Sequence, residues 1–186
     1  MNTVFKAGKE VGFEGSEAFD YKWKTLQWFA LYTRSRHEKF LDSELKQKGI
    51  ETFLPLRKIT RRWSDRYQQI EEPLFKGYLF VRIPLMDRYQ VLNTKGAVCL
   101  VGKGAEAVAV PERELDLVRR FIEEEIPVDP FPYLKEGERV YVRSGPFKGA
   151  EGFILRKDRH CRLVISLDLL MQSISIEIDQ ANVEPI

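Results

Sequence analysis

The sequence is poor in the residues that most enzymes and metal proteins depend on. Cysteine occurs twice, at Cys99 and Cys161, far apart and without a CxxC spacing. That argues against a disulfide framework and fits buried thiols of a reducing compartment, so the expected location is the cytoplasm. Histidine also occurs twice, at His37 and His160, neither beside an acidic or cysteine cluster with ligand spacing. No nucleophile–base pair or carboxylate pair stands out, and Glu123-Glu124-Glu125 reads as a solvated helix face. No catalytic residue, metal ligand or cofactor is therefore expected. No apolar run approaches the ~20 residues of a membrane span, and Lys6, Lys9, Glu10 and Glu14 interrupt any signal-peptide core. A strong charge of one sign is missing too. Thirty basic and 28 acidic residues leave a net charge of +2, so any nucleic-acid contact must be a local patch.

Aromatic and β-branched residues are plentiful, and they concentrate in Glu72-Pro73-Leu74-Phe75-Lys76-Gly77-Tyr78-Leu79-Phe80-Val81-Arg82-Ile83. Tyr78 to Ile83 reads as a strand, with apolar residues on both parities, as in a central strand covered on both faces. Three rings in six residues exceed what one thin strand buries on one side. Some of them are expected to line a partner surface; the plain alternative is that all are core.

Residues 1–26, with scattered glycine and mixed charge, read as a flexible extension. Trp28 to Thr33 is a first strand. Ser35 and Glu38 form a capping box for a helix to Lys48, stopped by Gly49, with Phe40, Leu41 and Leu45 facing the core. Ile50 to Leu56 is a second strand. Arg57 to Gln69 then holds five basic residues (Arg57, Lys58, Arg61, Arg62, Arg66) and one acid, with Trp63 and Tyr67 interleaved. Between apolar strands this is a protruding hairpin, able to track phosphates while rings stack on bases; a solvated basic loop is the alternative. A short helix over Met86–Lys95, strands at Ala97–Val101 and Ala107–Val110, and a helix carrying Leu115, Val118, Ile122 and Ile126 complete a first domain over 27–126. Pro127, Pro130 and Pro132 make 127–134 a stiff linker. Over 135–186 the period changes to two, at Val140 and Val142, Phe153 and Leu155, Leu163 and Ile165, and Ile174, Ile176 and Ile178. The fold class is α+β: an N-terminal α/β sandwich of antiparallel sheet flanked by helices, then a small all-β barrel of Src-homology-3 type.

Gly137-Glu-Arg-Val140-Tyr-Val142-Arg-Ser-Gly145-Pro146-Phe147-Lys-Gly149-Ala-Glu-Gly152 resembles the KOW motif. With Trp28-Phe29 and Pro73-Leu-Phe75-Lys-Gly77-Tyr78-Leu-Phe80-Val upstream, the chain resembles the NusG family over about residues 27–186; a KOW motif alone would also fit ribosomal proteins. The resemblance implies an NGN domain that docks on the clamp helices of the largest subunit of RNA polymerase. The positions matching that surface are Trp28, Phe29, Tyr32, Phe75, Tyr78 and Phe80. Arg34, Arg36, His37 and Lys95 match a face toward the non-template DNA strand, and the Arg57–Gln69 hairpin, with Trp63, lies toward upstream DNA. His37 read alone is more simply a core-edge histidine.

The KOW barrel is expected to meet a ribosomal protein or Rho through Phe147, Leu169, Leu170 and Met171, with Leu170 where relatives often have Phe. Glu72-Pro73-Leu74-Phe75 is closer to RfaH- and UpxY-type specialised antiterminators than to housekeeping members. Asp87-Arg88-Tyr89 stands where RfaH has its His-Thr-Thr contact to the polymerase gate loop. Strict alternation of Ile174, Ile176 and Ile178 favours the barrel over a helical form. The implied role is a monomeric elongation and antitermination factor acting at specific operons; the alternatives are a general NusG-like factor and a KOW-type RNA-binding protein.

Overall fold

The two most apolar strands, β1 (Gln27–Thr33) and Tyr78–Ile83, pair antiparallel in the middle of one sheet. In the computed structural model the described residues are 23–63, 66–103, 106–134, 137–157 and 160–186. The expected extension over 1–26 lies outside them except for its last four positions. After β1 come α1 (Glu38–Gln47), β2 (Glu51–Phe53), β3 (Leu56–Arg62), β4 (Tyr67–Pro73) and β5 (Tyr78–Ile83). Then follow α2 (Arg88–Leu92), β6 (Ala97–Leu100), the short pair β7 (Gly102–Lys103) and β8 (Glu106–Ala107), and α3 (Glu112–Glu123). The first sheet has the order β2-β5-β1-β6, while β3 and β4 form a separate two-stranded hairpin.

Pleating sorts the side chains of β1 and β5 onto two faces. Phe29 and Leu31 lie opposite Val81 and Leu79, and α1 covers them with Leu41 and Leu45. Trp28, Ala30 and Phe80 belong to the other face, where α3 brings Leu115, Val118 and Phe121. α1 begins later than expected: His37 is its N-cap, and no side-chain capping bond forms. Its buried stripe is Glu38, Leu41 and Leu45, which turns Phe40 out to solvent. α3 ends at Glu123 because Glu125 adopts φ +52° and the Ile126 N–H reaches back to Phe121 O at 2.9 Å, a Schellman-type ending.

The second sheet contains β9 (Asp129–Phe131), β10 (Glu138–Val142), β11 (Glu151–Lys157), β12 (His160–Leu167), β13 (Gln172–Ile178) and β14 (Val183–Pro185). Its order is β14-β10-β11-β12-β13-β9, and every pair is antiparallel. β12 and β13 bury Leu163, Ile165, Ile174 and Ile176 as expected, but Val164, Ser173 and Ser175 between them are buried as well, so burial there does not alternate. β11 is out of phase with its expectation: Ile154 is the buried residue, and Phe153 and Leu155 are half-buried. The proline-marked segment is not a free spacer, because β9 pairs with β13.

The domains also pack on each other. Trp28, Phe75, Phe80 and Phe121 of the first share one continuous apolar cluster with Phe147, Leu170 and Ile174 of the second.

Candidate functional site

The aromatic face divides into buried and open parts. Trp28 is 3 % exposed, Phe75 is 1 % exposed, and Phe29 and Phe80 are fully buried. In this arrangement the four are not on an open face, and Trp28, Phe75 and Phe80 lie in the cluster shared with the second domain. Phe80 stacks on Phe53 at 6.1 Å and receives the edge of Phe75 at 5.9 Å, while the Arg119 guanidinium lies 4.8 Å over Trp28. Burying a large apolar side chain contributes about 1.5–3 kcal/mol, so these four rings stabilise the domain, and exposing them would cost that much each.

Two rings of the expected set stay at the surface. Tyr32 is 43 % exposed and lies directly opposite half-buried Tyr78, with ring centroids 5.5 Å apart. Across the other edge of β1, Tyr32 faces exposed Cys99. Burial, followed by the neighbouring Tyr32 and Cys99, raises the Tyr78 hydroxyl pKa, so its proton is held to higher pH. Gly77 fixes the pair in place. It has φ +82°, and a Cβ there would sit 3.3 Å from Tyr32 Cε2. Its N–H donates to Glu38 Oε1 at 2.8 Å, and its carbonyl accepts from the Thr33 N–H at 2.9 Å. Glu38, read from sequence as a helix cap, is thus a buried acceptor for the turn beneath the tyrosines.

A second group gathers where β1 meets α1. The Arg34 N–H donates to Gly96 O at 2.8 Å, which brings the Lys95–Gly96 turn beside Arg34, Arg36 and His37. Gly96 has φ +100°, and a Cβ there would lie 3.1 Å from the His37 side chain. His37 is half-buried, its Nδ1 2.9 Å from Ser35 O and its ring edge-on to Phe40 at 6.3 Å. A groove of ≈ 810 Å³ leads from there toward the hairpin, and Arg36, Lys39, Arg61 and Lys76 line it together with Glu38, Glu71 and Glu72. Lys39 and Lys76 were missed by the sequence reading, because lone lysines between apolar residues carry no pattern.

The hairpin has two distinct halves. At its base Arg57 donates to Asp129 Oδ1 at 2.7 Å and, through Nε and Nη2, to Glu72 Oε1. That guanidinium holds the Glu72 carboxyl below the usual glutamate range. Lys58 donates to Glu125 Oε1 at 2.9 Å; the contact raises the lysine pKa and lowers that of the glutamate. Arg57 and Lys58 therefore link the hairpin to β9 and to Glu125, just past the end of α3. At the tip, Arg61 reaches Glu72 only at 3.4 Å, and Arg62 and Arg66 have no ion pair among the described residues. Trp63 and Tyr67 are exposed beside them.

In the second domain Phe147 and Leu170 are buried and Leu169 is half-buried, packed in the cluster they share with the first domain, so in this arrangement they form no open surface. Phe147 is turned against Phe121 of α3. Met171, at φ +51°, is exposed, and the adjacent Gln172 donates to Lys76 O at 3.4 Å. Among the described residues no group of three His, Cys, Asp or Glu side chains could hold a metal, and no helix is long and apolar enough to cross a membrane.

A helix-flanked antiparallel sheet followed by a small β-barrel, with rings and cations gathered on the first unit, is a two-domain α+β architecture whose conspicuous features are surfaces. The family model described as "Transcription termination factor nusG" matches residues 26–119, and the chain belongs to the NusG family. The transcription termination/antitermination protein NusG of Lactococcus lactis is 26 % identical over 181 residues, covering 91 % of this chain and 95 % of its own. The protein of the same description from Borreliella burgdorferi is 22 % identical over 181 residues, covering 86 % and 98 %. A solved structure entitled "Domain interaction in Thermotoga maritima NusG" superposes with a TM-score of 0.55 at 21 % identity, over 87 % of this chain and 98 % of that one. That likeness concerns the fold.

Proposed function

We propose that this chain is a transcription elongation and antitermination factor that binds RNA polymerase through its first domain. The observation that carries the reading is the Tyr32–Tyr78 pair, an open aromatic patch in the family-matched domain, at positions that resemble the polymerase-docking surface. Aromatic residues dominate the energetics of such interfaces. The clamp helices of the largest subunit are the proposed seat. Arg34, Arg36, His37 and Lys95 form the face toward the non-template strand, and the hairpin tip extends it. Neither needs a globally basic protein, because local cations suffice for phosphate contact. The second domain recruits a further partner, a ribosomal protein or Rho, through Leu169, Leu170, Met171 and Phe147 once the contact with α3 is released. The proposed protein is cytoplasmic, acts as a monomer and is not an enzyme.

Glu72-Pro73-Leu74-Phe75 and the ring-bearing hairpin favour action at specific operons. The similarity to proteins described simply as NusG favours a general factor. Genome-wide occupancy separates the two: a few long operons for the specialised role, all transcription units for the general one. The core reading is tested by single-round transcription through pause sites. Added protein shortens pauses if the reading is right and leaves them unchanged if it is wrong.

A further inference from the structure

Among the described residues, three buried side-chain atoms have no hydrogen-bond partner: Gln27 Oε1, Trp28 Nε1 and Arg82 Nε. They belong to neighbouring strands. Gln27 and Trp28 open β1, and Trp28 lies directly opposite Arg82 of β5. All three residues line one cavity of ≈ 390 Å³, which Pro111 and Glu112 at the start of α3 also line. The Val110 N–H donates to Trp28 O at 2.8 Å and so holds the start of α3 against β1. Exposed Leu26 lines the cavity as well, so it reaches the surface. Leaving a buried donor or acceptor unpaired is costly, and folded proteins pair nearly all of them. Three in one cavity mark a place that something fills.

The unpaired atoms set the chemistry of what fits. Indole and guanidinium nitrogens only donate, and the Gln27 oxygen accepts. Two donors beside one acceptor match a carbonyl oxygen with an N–H next to it. The N-cap of α3 is Pro111 and no side chain caps the helix, so its positive end borders the same cavity and favours that oxygen. Charge argues against an anion. Arg82 already lies 3.3 Å from Glu51 Oε2 and 3.8 Å from Glu112 Oε1, so an incoming carboxylate would meet two acids. One bridging water could satisfy the same three atoms, but it fills only about 30 Å³. We infer that this cavity binds a small neutral carboxamide, whose oxygen accepts from Trp28 and Arg82 and whose N–H donates to Gln27. It lies at the opposite end of β1 from Tyr32, and the inference does not rest on the polymerase-docking reading.

The test titrates the nitrogen-15-labelled full chain with three probes of one shape: isobutyramide, isobutyrate and 3-methyl-2-butanone, a ketone that accepts but cannot donate. The readout is the indole N–H resonance of Trp28, told apart from those of Trp23 and Trp63 by its loss in Trp28→Phe. Isobutyramide is expected to shift that resonance saturably at roughly millimolar concentration, as suits so small a ligand, and to leave the other two indoles in place. The ketone and isobutyrate should bind at least about fivefold more weakly, the scale of one hydrogen bond. Gln27→Leu should bring amide and ketone to equal affinity, with the dispersion of the spectrum confirming the fold. Equal binding of amide and ketone to the wild type overturns the pairing with Gln27, and with it the amide. Preference for isobutyrate overturns the neutral ligand. No shift with any probe means that the cavity holds ordered water only, which overturns the inference.

Discussion

The ring of Phe147, in the second domain, meets Phe121 of α3 edge-to-face, with centroids 5.4 Å apart and planes at 76°. Phe121 is fully buried and Phe147 nearly so, each partly by the other's domain. The contact uses a side chain that the family resemblance implies for an outside partner. The second domain is thus satisfied by the first in this arrangement, and an outside partner must compete with α3.

Phe147→Ala is expected to open the molecule. Removing a buried Phe ring costs about 3–5 kcal/mol, enough to shift a closed-to-open equilibrium roughly a hundredfold or more. Small-angle scattering should report a larger radius of gyration, while NMR shows both domains still folded. An unchanged radius would mean that other contacts hold the domains together.

Gly77→Ala tests the support of the tyrosine pair. A left-handed φ costs a non-glycine residue about 1–2 kcal/mol, and the added methyl presses on the Tyr32 ring 3.3 Å away. The variant should melt several degrees lower, with altered Tyr32 ring resonances. Wild-type stability would show that the turn can relax.

Glu38→Ala should cost about 1–3 kcal/mol, because the Gly77 N–H loses its acceptor in a half-buried place. Glu38→Gln keeps an oxygen there and should cost less. Denaturant titration of the two variants gives the comparison. Equal losses would make the carboxylate charge, rather than the hydrogen bond, the important feature.

The Arg57–Glu72 pair sets an acid limit. Arg57 lowers the Glu72 pKa in the folded state, so the pair adds stability above the unfolded glutamate value. That stability is lost as pH falls below about 4, through the folded value. Glu72→Gln should therefore flatten the fall of melting temperature between neutral and acid pH. An unaltered slope would place the acid sensitivity elsewhere.

Much of the fold was legible because its signals are local. The apolar strands at Trp28–Thr33 and Tyr78–Ile83, the stop at Gly49 and the alternating isoleucines of β13 all read correctly from neighbours in sequence. What failed depended on distant partners. Glu38 follows Ser35 at capping-box spacing, yet its carboxylate serves Gly77 across the sheet. Phe40 has helical spacing from core residues but sits off the stripe that α1 buries. The rings at Trp28, Phe75 and Phe80 could be counted but not sorted, since α3 and Phe53 decide which face is filled. Arg57 and Lys58 look like the other hairpin cations in sequence; only Asp129 and Glu125, brought close by folding, set them apart.

The most direct measurement is the affinity of the full-length protein for core RNA polymerase without nucleic acid, wild type against Tyr32→Ala with Tyr78→Ala. Both rings are partly open to solvent, so the double variant should stay folded by circular dichroism. If these tyrosines are the docking surface, affinity falls at least tenfold. Wild-type affinity in a folded double variant would contradict the account.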